Sequence, residues 1–182
     1  MKYLAAIAVA LLPATAIPAH AEPSAMEQRL QKLEDESQIR RIIEDYAVRL
    51  TSRDFDGYIA LFAPNGTWRN GPTIKNGREE IKAMLVAMFP NTPADYVNND
   101  SYMLVSNVRI DLDGDSAKAF SRQLSVIRGK DGDPVPVLSG MYEDEFVRQD
   151  GKWMILHRND ITFIPSPEQW RKKMEEGVFS GN

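Results

Sequence analysis

Three Asp-Gly dipeptides, Asp113-Gly114, Asp131-Gly132 and Asp150-Gly151, cut the second half of this chain into four β-rich runs. Asp-Gly closes tight hairpins because both positions tolerate positive φ. The runs Tyr102 to Leu112, Ser116 to Arg128, Val137 to Arg148 and Lys152 to Phe163 therefore predict an antiparallel meander. Asp111-x-Asp113-Gly114-Asp115 is not a calcium loop, which needs its glycine at position six and an acid at twelve.

The first half has the helical period instead. Ser24-x-x-Glu27 reads as a capping box, after which Leu30, Leu33, Ile39, Ile42, Ile43, Tyr46, Ala47 and Leu50 recur every three or four residues. Glu34-Asp35-Glu36 and Arg40-Arg41 are expected on its solvent side. Asp54 caps a short second helix that Pro64-Asn65-Gly66 ends, and Thr67-Trp68-Arg69 reads as a short strand before a loop over Asn70 to Asn76. A third helix opens at Gly77, turns Ile81, Met84, Leu85 and Met88 inward, and closes at Pro90 and Pro93. A tail helix is expected from Ser166 to Glu176. Helices followed by a meander make an α+β layout.

Residues 1–21 read as a cleavable leader: Lys2, an apolar run from Leu4 to Ile17, and Ala19-His20-Ala21 as the cleavage site. The apolar run is shorter than the ~20 residues of a membrane span. The expectation is one exported domain over 22–182, periplasmic or secreted. A formal net charge of −4 without a basic stripe argues against nucleic acid and anionic membrane as partners. The chain has no cysteine, which excludes thiol nucleophiles, disulfides and thiolate metal sites. Of its two histidines, His20 would leave with the leader. His157 would then be the one residue titrating near neutral pH, and no two-histidine metal site would be possible.

Strand alternation puts Tyr142, Asp144 and Phe146 on one face, and Trp153, Ile155, His157 and Asn159 on another. An Asp walled by aromatics has a raised pKa and suits acid–base work; equally, Asp144 can pair with Arg122 or Arg158 as a structural bridge. His157 reads as a base or as a satisfied strand histidine. Tyr46 either points its hydroxyl into a cavity or is a core aromatic, and Asp54 is a good N-cap whatever else it does.

Several fragments, in order, resemble the SnoaL-like domains of the nuclear transport factor 2-like superfamily. They are Tyr46 to Leu50, Arg53-Asp54-Phe55-Asp56, Ala60-Leu61-Phe62-Ala63, Thr67-Trp68 and Asn76-Gly77-Arg78-Glu79-Glu80-Ile81. Ser106-Asn107, Asp113-Gly114-Asp115-x-Ala117, Tyr142-x-Asp144-x-Phe146-Val147-Arg148 and Asp150-Gly151-Lys152-Trp153-x-Ile155-x-x-Arg158 continue the match. The resemblance implies a cone: a curved antiparallel sheet wrapped by three N-terminal helices, with a pocket in its mouth.

It also implies cofactor-free chemistry of the dehydratase, dehydrochlorinase or isomerase kind, or ligand binding without catalysis, in a homodimer or homotrimer. By position, Tyr46 is similar to the isomerases' oxyanion-hole tyrosine and Asp144 to their protonated aspartate. The isomerase base falls near Asn70, which is no base. The dehydratase aspartate matches Asp54, but the histidine it would orient is Met103, beside Tyr102. The expected catalytic set is Tyr46, Asp54, Asp144 and His157. The expected lining for a small apolar or aromatic ligand is Arg49, Trp68, Asn70 and Tyr102, with Met103, Tyr142, Phe146 and Asn159.

Overall fold

The computed structural model describes residues 24–176, so the expected leader lies outside the described residues. Helix α1 (Ala25–Thr51) opens on the capping box: Glu27 N–H donates to Ser24 Oγ at 3.3 Å and Ser24 N–H to Glu27 Oε2 at 2.7 Å. Helix α2 (Phe55–Ala60) starts at Asp54, whose carboxylate accepts from Gly57 N–H at 2.8 Å. Strands β1 (Phe62–Asn70) and β2 (Thr73–Asn76), then helix α3 (Gly77–Met88), complete the first half.

Strands β3 (Ser101–Asp113), β4 (Ser116–Arg128), β5 (Pro134–Gln149) and β6 (Lys152–Ile164) form the meander, and α4 (Pro167–Glu175) closes the described chain. Asp150 and Gly151 both take positive φ, 50° and 73°, as a primed two-residue hairpin turn requires. No helix among the described residues is long and apolar enough to cross a membrane.

The six strands form one sheet in the order β2-β1-β6-β5-β4-β3. Every seam is antiparallel except β1–β6, which is parallel. The curved sheet carries the helices on its concave face. Ile39, Ile43 and Tyr46 of α1, Ile81 and Leu85 of α3, and Ala117, Tyr142, Phe146 and Ile155 of the sheet share one core.

Several expectations need correction. The stretch read as a loop over 70–76 instead turns at Gly71, where φ is 54°, and contributes β2. Leu30 and Leu33 are 54% and 64% exposed, because burial on α1 starts only at Asp35. Asp35 itself, assigned to the solvent side, is buried. It accepts a bidentate pair from Arg148 (2.8 and 2.6 Å) and an N–H from Trp153 (2.9 Å). Burial alone would raise its pKa, but these donors hold it below the ordinary value.

The shared face of Trp153, Ile155, His157 and Asn159 also fails. Phe146 pairs with Ile155 while Glu145 pairs with His157, so Leu156 is the extra residue of a β-bulge. A one-residue slip exchanges the faces of a strand. Beyond the bulge Arg158, Asp160 and Thr162 turn inward and His157 turns out.

Candidate active site

Where the end of α1, α2 and α3 stand over the concave sheet, they enclose a cavity of about 270 Å³. That is near the lower end of the ~300–1,000 Å³ typical of small-molecule pockets. One end is built from fully buried Tyr46, Tyr58 and Tyr142; at the other, half-exposed Arg53 and Phe89 meet exposed Tyr102. Leu50, Met84, Leu85, Met88 and Leu138 give it apolar walls. The polar atoms converge from the strands: Asn70 of β1, Gln123 and Ser125 of β4, Asp160 and Thr162 of β6.

The deep end is held by one charged pair. Arg158 donates to both oxygens of Asp144, at 2.7 and 2.6 Å, with both side chains fully out of water. Its guanidinium also lies 3.8 Å from the Tyr46 ring centre and 4.3 Å from that of Tyr142. Burial works against the Arg158 charge, but the touching carboxylate outweighs it and raises the pKa. Tyr46 accepts a hydrogen bond from Trp68 Nε1 at 3.1 Å, which leaves its own proton to donate. Burial pushes the Tyr46 phenol up to about 12, against the pull of Arg158, so it stays a donor at neutral pH.

Asp160 is the residue that the sequence reading missed. Its neighbour Arg158 is committed to Asp144, so the Asp160 carboxylate receives a neutral donor instead. Gln123 Nε2 donates to Oδ1 at 3.0 Å, while Asn70 beside it donates to Thr162 Oγ1 at 3.4 Å. Gln123 is itself oriented by the Tyr142 hydroxyl, which donates to its Oε1 at 2.8 Å. Burial deep in the fold pushes Asp160 up to about 7, with Arg158, Asn70 and Gln123 only partly opposing it and Asp144 adding to the rise. The side chain keeps part of its surface open to the cavity. A carboxyl so placed can both take and give a proton near neutral pH.

The structure brings Tyr46, Trp68, Asn70, Tyr102, Met103 and Tyr142 to this cavity. It does not bring the others. Asp54 lies beside α2 in an ion pair with Arg49, and neither lines the cavity. Asp144 adopts the bridge alternative, with Arg158 as its partner and Arg122 elsewhere, stacked near Phe120 and Phe163. Phe146 packs in the core. His157 is exposed, with Nδ1 2.9 Å from Thr67 Oγ1, and Asn159 donates to Glu143 at 3.1 Å on the same outer face. No cluster of three or more potential metal ligands occurs among the described residues.

A family model described as the SnoaL-like domain matches residues 31–159. Comparison with curated proteins returns no match. Solved structures share the fold at low identity, and three from Novosphingobium aromaticivorans illustrate the range. An NTF2-like protein with a cystatin-like fold is 18% identical over 83% of this chain and 97% of its own, with a TM-score of 0.66. A chain provisionally assigned as a scytalone dehydratase is 24% identical over 75% and 89%, with a TM-score of 0.63. The β subunit of a provisionally assigned aromatic-ring-hydroxylating dioxygenase is 16% identical over 72% and 90%, with a TM-score of 0.60.

Proposed function

We propose that this chain, which belongs to the SnoaL-like domain family, binds a small apolar or aromatic molecule and moves a proton on it. The reaction class is cofactor-independent elimination of the dehydratase type, or isomerisation. The observation that carries this reading is the Asp160 carboxyl on the cavity wall, held by the Gln123 amide and facing apolar side chains. It supplies an acid next to Asn70, the position at which the resemblance to the isomerases expects a base and finds an amide.

In the proposed reaction the Tyr46 hydroxyl donates to a substrate carbonyl oxygen and stabilises the charge that develops there. Asp160 removes a proton from the carbon beside that carbonyl. It then returns the proton, to a departing hydroxyl in elimination or to a second carbon in isomerisation. The apolar walls favour a ring system without many polar substituents. Export through residues 1–21 and assembly as a homodimer or homotrimer belong to the same proposal. Intact mass of periplasmic protein starting at Glu22, and light scattering, check them.

The test is Asp160→Asn, assayed on cyclic β-hydroxyketones and β,γ-unsaturated ketones by the absorbance of the conjugated product. A loss of ~10²–10⁴-fold in kcat, with the ketone still bound, is the expected result. Wild-type turnover in the variant would remove Asp160 from the mechanism. Should the wild-type protein bind these rings and turn none over, the second reading, a non-catalytic binding or assembly protein, takes its place. The fold likeness to a dioxygenase β subunit is what favours that alternative.

A further inference from the structure

We propose that Arg53 is an anion-binding residue at the open end of the cavity. The molecule taken there then carries a carboxylate, or a comparable anionic oxygen group, on its apolar ring body. This rests on the cavity being the ligand site.

The backbone at Arg53 is unusual for an arginine. Its φ is 60°, in the left-handed region. It occupies the turn after α1, where Arg53 N–H donates to the Leu50 carbonyl at 3.2 Å and Asp54 N–H to the Arg49 carbonyl at 3.0 Å. That pair of bonds is the Schellman arrangement, and its left-handed position is the one that glycine fills most readily. A long charged side chain held there is a reason to look for what the side chain does.

The side chain is directed to the cavity, which it lines together with Leu50, Phe89 and Tyr102. Its guanidinium carbon sits 3.4 Å from the Phe89 ring centre and 5.4 Å from that of Tyr96, and Nη1 donates to the Leu50 carbonyl at 3.1 Å. Stacking fixes the plane of the guanidinium, and one bond uses one of its five N–H donors. Arg49, Arg148 and Arg158 each have a carboxylate within ion-pair distance. Arg53 has none among the described residues; the acid that acts on it is Asp100, from beyond ion-pair distance, and Oδ1 of that carboxylate accepts from the Tyr96 hydroxyl at 3.2 Å. A half-buried, oriented guanidinium with no ion-pair partner, on a pocket wall, matches a carboxylate in charge and in fork geometry.

The experiment compares 2-naphthoate with its neutral isostere 2-naphthamide by calorimetry on the full mature chain at pH 6, where Asp160 is mostly protonated. The wild-type protein should prefer the naphthoate by about tenfold or more. Arg53→Gly, which suits the left-handed turn, should keep the melting temperature and bring the ratio to about one. If that variant also loses the naphthamide, Arg53→Gln keeps the side chain's length and decides by the same ratio. A preference that survives both substitutions, or equal binding of the two probes to the wild-type protein, overturns the assignment and leaves the cavity reading intact. Failure of both probes to bind the wild-type protein removes the cavity reading, and this proposal with it.

Discussion

Gln123 of β4 reaches across β5 to donate its amide N–H to Asp160 of β6 at 3.0 Å. The strand between them is Gly140 at that register. A Cβ there would meet the Ile161 carbonyl at 2.3 Å and the Gln123 amide at 3.2 Å, so only glycine leaves the path open. The Tyr142 hydroxyl fixes which end of the amide faces Asp160, because it can donate only to the carbonyl end.

Gln123→Leu removes a donor that favours the ionised carboxylate. The apparent pKa of turnover, expected near that of Asp160 at about 7, should then move up by roughly one unit or less. At pH 7 the rate falls, and at pH 9 it recovers toward the wild-type value. A pH–rate profile that shifts downward, or stays in place, would separate Gln123 from the proton carrier.

His157 lies on the outer face opposite Glu145, bonded to Thr67. His157→Gln should leave kcat within about twofold and keep the inflection of the pH–rate profile. Disappearance of that inflection in His157→Gln would return the base role to histidine.

The meander was legible because its turns are chemical statements: Asp-Gly at three places fixes three hairpins and, with them, four strands. The helices were legible from period and caps. The site was half legible. Tyr46, Trp68 and Tyr142 are large aromatics on regular stretches, where alternation and helical spacing hold. Asp160 was hidden by the bulge at Leu156, since Trp153, Ile155, Ile161 and Phe163 keep the even spacing of a single face while the strand changes face between them. A strand with apolar residues on both faces offers no pattern from which to read that change. Asp35 was hidden for a related reason: an acid in a charged run looks solvated until Arg148 and Trp153, over a hundred residues away, are folded onto it.

Asp35→Ala should destabilise the protein by about 2 kcal/mol at pH 7, since it leaves the Trp153 N–H without its acceptor and Arg148 with only the exposed Asp115 as its carboxylate partner. The folded pKa of Asp35 lies below the ordinary value of 3.8. Its contribution is therefore complete above about pH 4 and is lost as the pH falls through the lower folded value. Urea unfolding of the variant and the wild-type protein should differ most at pH 7 and converge in strong acid. A gap that does not narrow there would mean that Asp35 acts through packing rather than charge.

Asp160 has the opposite sign, and this gives a stability test of the catalytic proposal that needs no substrate. Its pKa rises on folding, from an ordinary 3.8 to about 7. The folded state thus favours the protonated form, and the stability it gains is full below about pH 4. That gain shrinks as the pH rises to about 7 and is gone above it, where an ionised carboxylate must be kept in a partly dry cavity. Asp160→Asn stays neutral throughout. The variant should match the wild-type protein within a few tenths of a kcal/mol near pH 4 and exceed it by at least about 1 kcal/mol at pH 8. The excess is the stability given up to keep a proton carrier beside apolar walls, as working sites often require. If urea unfolding gave the wild-type protein equal or greater stability than Asp160→Asn at pH 8, the Asp160 carboxyl would be ionised with an ordinary pKa. It could not then exchange protons near neutrality.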